Sequence, residues 1–179
     1  MSKLLYIHGF ASCGKGQKST ALAKWFGQEN VIAPDLPSSP KKAISLLSSL
    51  IEKENPSLLV GSSLGGYYAG YLAEKYTKKA VLINPSIQPY ETIGMQERFC
   101  DQKPFMFESL FLEFLMEFRS KPCYGTYLVL LQSGDEVLDY TKAKKHYEDQ
   151  RVIVEYGGNH RFENIGDYLS MIGNFKDEK

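Results

Sequence analysis

The sequence has neither a long apolar run nor an excess of charge of one sign. No apolar run approaches the roughly 20 residues that a membrane-spanning helix needs. The 21 Lys and Arg residues are balanced by 21 Asp and Glu residues, whereas a nucleic-acid-binding surface needs basic residues to neutralise phosphates. We therefore expect neither a membrane nor a nucleic acid among the partners of this protein.

Cysteine is also scarce. Cys13, Cys100 and Cys123 are odd in number and widely spaced, so neither a disulfide framework nor a CxxC metal site is indicated. The apolar run Leu4–Ile7 is too short for the core of a signal peptide, and no small-residue cleavage site follows it. We expect a cytoplasmic protein that requires no metal or cofactor.

Six short apolar runs alternate with stretches of helical periodicity. This alternation predicts an α/β fold, with a mostly parallel sheet of about six strands between two layers of helices. A chain of 179 residues predicts a single domain, 1–179. The predicted strands are residues 4–7, 31–33, 58–60, 80–83, 127–131 and 151–156.

The alternation is interrupted between residues 86 and 123. No strand pattern is visible there, and apolar residues from Phe107 to Phe118 recur at the spacing of one helix face. We interpret 86–123 as a helical cap insertion that shapes a ligand pocket. Core packing and a dimer interface are the alternatives, so the protein is expected to be a monomer or a homodimer. The candidate pocket residues are Phe105, Met106, Phe107 and Phe111.

Ser63 is the candidate nucleophile. It is the serine of a Gly-x-Ser-x-Gly motif, with Gly61 and Gly65 on either side, between an apolar strand and a helical pattern. This motif places a serine on a sharp strand-to-helix turn, where its hydroxyl is exposed at the end of a sheet. A Gly/Ser-rich loop without chemistry is the alternative, but the flanking strand and helix favour the nucleophile.

A serine nucleophile needs a base and a group that orients the base. Of the three histidines, His8 is expected to pack under the first loop and His146 lies on a lysine-rich helix. His160 follows the last strand in a glycine-flanked loop, so it is the predicted base.

Asp135 is the best-placed orienting acid, because it lies in a tight turn directly after a strand. Glu136 and Asp139 are alternatives, and Asp139 is also placed to cap the next helix. The chain order Ser63, Asp135, His160 is that of α/β-hydrolases. In this fold the backbone N–H of the residue after the nucleophile, Leu64, contributes to the oxyanion hole, and we expect the second donor to be the N–H of Phe10.

The loop Gly9–Gly16 nearly matches a phosphate-binding P-loop. Its last position is glycine, so the hydroxyl that would bind Mg²⁺ is missing. Nucleotide binding is therefore a less favoured hypothesis. Nothing in the sequence marks the thiol of Cys13 in this loop as an activated nucleophile.

Five motifs occur together: residues 6–10, 61–66, 84–91, 130–140, and 157–160 with Phe162. In this combination the chain resembles the small YqiA-type esterases of bacteria, a compact branch of the α/β-hydrolase superfamily. The resemblance implies a catalytic triad at Ser63, Asp135 and His160, hydrolysis of acyl esters or thioesters, and a sheet reduced to the later strands of the full fold. The glycine-rich loop 12–16 departs from the family pattern, which leaves open whether Lys15 contacts the substrate.

The sequence as a whole predicts a serine esterase that forms an acyl-enzyme from a small acyl ester. A protein of the same fold that binds a ligand or partner without turnover is the main alternative.

Overall fold

A six-stranded parallel sheet forms the centre of the computed structural model, which describes residues 2–89, 96–98, 101, 104–105 and 122–178. The strands lie in the order β2-β1-β3-β4-β7-β8, and every neighbouring pair is parallel. The predicted fold class is confirmed. The strands are β1 Leu4–Ile7, β2 Val31–Ile32, β3 Leu58–Ser62, β4 Lys79–Ile83, β7 Thr126–Gln132 and β8 Arg151–Glu155.

A second, separate pair of strands corrects the expectation that 86–123 contains no strand. β5 (Gln96–Glu97) and β6 (Pro104–Phe105) are two residues each and pair antiparallel. Strands this short show no alternation of apolar and polar residues, so the sequence pattern could not reveal them. The rest of the predicted cap insertion, with Met106, Phe107 and Phe111, lies outside the described residues.

Helices cover both faces of the main sheet. The apolar residues of each strand alternate between two clusters, one on each face, because successive side chains of a strand point in opposite directions. Residues of α2, α3 and α4 contribute to the first cluster, and residues of α1 and α5 to the second. Within the described residues, the α-helices are α1 Gln17–Phe26, α2 Pro40–Glu54, α3 Leu64–Tyr76, α4 Tyr140–His146 and α5 Leu169–Asp177.

The termini of α2 show how local sequence sets the length of an element. The Ser39 hydroxyl accepts a hydrogen bond from the backbone N–H of Lys42 at 3.3 Å, and Pro40 is the first helical residue. Asn55 ends the helix in the left-handed conformation, with φ 44°. Asparagine tolerates this conformation better than most residues do.

The cysteines differ from expectation. Cys13 is disulfide-bonded, whereas Cys123 is free and exposed. Count and spacing alone gave no signal for a disulfide, because one depends on two distant residues meeting in the fold. None of the helices in the described ranges has the length and hydropathy to cross a membrane.

The carboxyl ends of the parallel strands all meet at one edge of the sheet. Ser63, Asp135 and His160 come shortly after the ends of β3, β7 and β8 respectively. This edge is where open α/β sheets usually bind their ligands.

Candidate active site

Ser63 connects β3 to α3 in a strained backbone conformation. Its φ is 55° and its ψ is −122°, a combination that costs energy in a residue with a Cβ. Hydrogen bonds to neighbouring segments hold it there. The Ser63 N–H donates to the carbonyl of Ile83 at 3.0 Å, and the Ser63 carbonyl accepts from Gly66 at 2.9 Å and from Ser86 at 3.0 Å.

The motif glycines allow the backbones to approach one another closely at this turn. A Cβ on Gly61 would lie 2.2 Å from the carbonyl oxygen of Gly65, and a Cβ on Gly65 would lie 2.0 Å from that of Ile7. Both distances are far below van der Waals contact. The start of α3 therefore packs directly against the ends of β1 and β3, and this packing fixes the position of Ser63.

His160 lies between Ser63 and Asp135. Its Nε2 is 3.0 Å from Ser63 Oγ, and its Nδ1 is 2.8 Å and 2.9 Å from the two carboxylate oxygens of Asp135. An ionised carboxylate can only accept hydrogen bonds, so Nδ1 carries the proton of the neutral ring. Nε2 is then left as an acceptor that faces the serine hydroxyl.

Asp135 is enclosed by donors. Its side chain is only 2% exposed, and its Oδ1 also accepts hydrogen bonds from the backbone N–H groups of Val137 at 2.9 Å and Leu138 at 2.8 Å. These bonds stabilise the negative charge in a buried position and fix the carboxylate for His160.

The two alternative acids have other partners. Glu136 accepts from the backbone N–H of His160 at 2.9 Å, and this bond is the main cause that lowers the pKa of its carboxyl. Asp139 caps α4 through the N–H of Thr141 at 2.9 Å. Only Asp135, of the three acids, meets the imidazole ring of His160.

His8 supports the loop after β1. It is buried, and burial lowers the pKa of its ring. Nε2 accepts from the N–H of Leu36 at 3.0 Å, so Nδ1 donates to the carbonyl of Gly9 at 2.8 Å. Since C=O and N–H of a trans peptide point in opposite directions, the N–H of Phe10 points away from His8.

The same loop passes beside Ser63. A Cβ on Gly9 would lie 3.1 Å from Ser63 Cβ and 3.7 Å from Ser63 Oγ. Leu64 is the first residue of α3, so its N–H is among those that the helix leaves without a partner inside the helix. The structure thus places the backbone segments of both predicted oxyanion donors next to Ser63.

The glycine-rich loop is packed against the chain that follows β2. The Gly14 N–H donates to the carboxylate of Asp35 at 2.7 Å, and a Cβ on Gly14 would lie 2.1 Å from the carbonyl oxygen of Ala33. A phosphate in this loop would have to displace a carboxylate that already uses one of its N–H groups. Lys15 is exposed.

A cavity of about 570 Å³ lies beside α3. Neither Ser63, Asp135 nor His160 is among the described residues that line it, and the predicted pocket residue Phe105 is described only as part of β6. The described wall of the cavity includes two lysines of α4, Lys142 and Lys145, and four tyrosines from other parts of the chain: Tyr67, Tyr71, Tyr127 and Tyr147.

Two buried amides next to His160 had no predicted role. Asn84 and Gln132 are each 2% exposed, and both hydrogen-bond the backbone of the loop that carries His160. The sequence shows only that each amide is a polar residue at the end of an apolar strand. That pattern does not reveal which residue the amide hydrogen-bonds.

Comparison with known proteins identifies the family. A family model described as "Uncharacterised protein family (UPF0227)" matches residues 3–177. The chain belongs to the UPF0227 family. A UPF0227 protein of Vibrio parahaemolyticus is 28% identical, in an alignment that covers 97% of this chain and 99% of the relative.

Solved structures show the fold of this UPF0227 chain. The mouse α/β-hydrolase domain-containing protein 10 matches with a TM-score of 0.75 and 17% identity, covering 98% of this chain and 89% of the mouse chain. A monoacylglycerol lipase of Paleococcus ferrophilus matches with a TM-score of 0.71 and 15% identity, covering 97% and 93%. The fold is that of the α/β-hydrolases, which confirms the resemblance found in the sequence.

Proposed function

We propose that this protein is a serine esterase with Ser63 as nucleophile, His160 as general base and Asp135 as the acid that orients it. One observation carries the proposal: His160 Nε2 is 3.0 Å from Ser63 Oγ while Nδ1 bonds Asp135. A nucleophile within hydrogen-bond reach of a base that a third group orients is the arrangement that activates a serine.

In the first step, Ser63 Oγ attacks the carbonyl carbon of the acyl ester while His160 Nε2 takes the hydroxyl proton. His160 then gives this proton to the leaving oxygen or sulfur as its bond to the acyl carbon breaks. Water, deprotonated by the same nitrogen, attacks the resulting acyl-enzyme, and the acid leaves as Ser63 is reprotonated.

The backbone N–H groups of Leu64 and Phe10 are the proposed donors to the oxyanion. The positions of Gly9 and of the N-terminus of α3 beside Ser63 support this assignment, and so does the orientation of the Phe10 N–H away from His8. Donors fixed in advance stabilise the charge that develops in the transition state.

The test is labelling with a fluorophosphonate probe, which reacts with activated serines. We expect labelling of the wild type and its loss in Ser63→Ala. Ser62→Ala is the matched control, since Ser62 is the neighbouring serine and is buried at the end of β3. Retained labelling of Ser63→Ala, or loss in Ser62→Ala alone, would refute the assignment.

The class of substrate follows from the same variants. Hydrolysis of nitrophenyl esters of increasing acyl length, and of matching thioesters, separates the two leaving groups and measures the acyl preference. A folded wild type that is neither labelled nor active would favour a binding protein of the same fold without turnover.

A further inference from the structure

Asn84 joins two strands of the sheet to the loop 157–162, which we call the histidine loop. It follows β4 directly and is 2% exposed. Its Oδ1 accepts from the backbone N–H of Gln132 at 2.9 Å, at the end of β7. Its Nδ2 donates to the carbonyls of Asn159 at 3.1 Å and His160 at 3.3 Å.

The orientation of this amide is fixed by its partners. A backbone N–H can only donate and a backbone carbonyl can only accept, so the oxygen must face Gln132 and the nitrogen must face the histidine loop. A side chain of the same shape without the N–H donors would set oxygen against oxygen at the two carbonyls.

The short segment 83–86, which contains Asn84, also holds the nucleophile. The carbonyl of Ile83 accepts from Ser63 N–H at 3.0 Å, and the N–H of Ser86 donates to the Ser63 carbonyl at 3.0 Å. One segment of four residues therefore holds the backbone of Ser63 on one side and the backbone of His160 on the other.

Gln132 holds the histidine loop from β7. Its Oε1 accepts from the N–H of Asn159 at 3.0 Å, and its Nε2 donates to Glu155 at 2.6 Å and to Asn164 at 2.7 Å. A Cβ on Gly158 would lie 2.2 Å from the Cδ of Gln132, so the loop passes directly over this amide. Asn159 is thus held at its N–H by Gln132 and at its carbonyl by Asn84.

We propose that Asn84 is a positioning residue that sets the separation between Ser63 Oγ and His160 Nε2, with Gln132 as the support of the same loop. The inference rests on the proposed function of that site. Proton transfer requires the two atoms at hydrogen-bond distance and in line, and a displacement of about 1 Å can lower the rate by about 100-fold.

The test compares Asn84→Asp with the wild type. Aspartate keeps an acceptor for Gln132 N–H but turns an oxygen towards the carbonyls of Asn159 and His160. We expect the rate of fluorophosphonate labelling and kcat to fall by about 10- to 100-fold, with KM little changed. If Asn84 contributes only to stability, Asn84→Asp will have a lower Tm than the wild type, and the folded variant will keep the kcat of the wild type.

Asn55→Asp is the matched control. Asn55 has the same residue type and a similar backbone conformation, with φ 44° against 39° for Asn84. It ends α2, and its Oδ1 accepts from Lys78 Nζ at 2.6 Å, a bond that aspartate preserves. Labelling and kcat of Asn55→Asp should equal those of the wild type.

A second variant and a second measurement cover the remaining outcomes. If Asn84→Asp does not fold, Asn84→Gly, which suits the positive φ and removes the amide, should show the same loss. The NMR signal of the His160 Nδ1 proton, assigned with His160→Gln, should shift or broaden in either variant.

An unchanged signal or an unchanged labelling rate in the folded variant overturns the inference. An unlabelled wild type refutes the proposed function instead, and the NMR signal then decides the role of Asn84.

Discussion

At the scale of single residues, three carboxylates close in sequence have different roles because their oxygens meet different donors. Asp135 is buried and bonds the ring of His160, Glu136 bonds the backbone of His160, and Asp139 caps a helix. Local sequence made all three plausible as the acid of the site. The difference lies in the direction of each side chain, which depends on where the histidine loop lies.

The role proposed for Asp135 is testable with its amide. Asn in place of Asp135 can donate to Nδ1, which favours the wrong tautomer of His160, so kcat should fall by about 10⁴-fold while the fold is kept. The measurement is steady-state hydrolysis of the best ester from the substrate screen. Asp139→Asn is the control, since asparagine caps a helix as well as aspartate does, and it should leave kcat unchanged. Equal losses in both variants would contradict the assignment.

At the scale of elements, the position of Ser63 depends on how closely α3 approaches β1 and β3. The apolar runs and the helical spacing predicted these elements, because each is long enough to show its periodicity. Gly61 and Gly65 indicated the tight turn. The contact of Gly65 with the carbonyl of Ile7 joins residues 58 positions apart, and no local pattern contains that information.

Gly65→Ala should separate α3 from β1. Its Cβ would meet the Ile7 carbonyl oxygen at 2.0 Å, and backbone cannot move aside as a flexible side chain can. We expect a loss of about 1–3 kcal/mol in the free energy of unfolding, measured by urea denaturation, together with slower labelling of Ser63.

Gly166→Ala is the control for the glycine itself. A Cβ on Gly166 meets nothing within 4 Å, so stability should stay the same or rise by about 0.4–1 kcal/mol. If Gly65→Ala and Gly166→Ala lower the free energy of unfolding equally, close packing at Gly65 is not the cause of the loss.

The candidate site shows the same division between what the sequence predicts and what it leaves out. Ser63, Asp135 and His160 could be singled out because each follows a strand, and parallel strands end at one edge. Asn84 and Gln132 could not be assigned, since their partners in the histidine loop lie 27 to 76 residues away. The sequence predicts neither the disulfide at Cys13 nor the short pair β5–β6, because neither produces a periodic pattern of apolar and polar residues.

At the scale of the whole molecule, His8 links stability to pH. Burial lowers the pKa of His8 in the folded protein, whereas in the unfolded chain it is close to 6.5. Below about pH 6.5 the unfolded chain takes up a proton that the folded chain resists, so the free energy of unfolding falls as the pH falls. Above that pH this contribution is fully present.

His8→Gln should flatten this dependence. Glutamine does not titrate and offers an oxygen to the N–H of Leu36, so its Tm should change less between pH 7.5 and 5.5 than the Tm of the wild type. Thermal unfolding followed by circular dichroism at several pH values gives the comparison. Parallel curves for the two proteins across this range would show that His8 is not the group responsible.

The order of strands also sets the order in which the site can be assembled. Every strand of the main sheet after β1 pairs with one that precedes it in the chain, so the sheet can grow at its edges as the ribosome delivers the chain from its N-terminus. The serine arrives with the third strand, and the aspartate follows β7. His160 comes only after β8, so a nascent chain holds the proposed nucleophile and the proposed acid before it holds the proposed base. The proposed hydrolysis therefore begins only when the last strand of the sheet has been added.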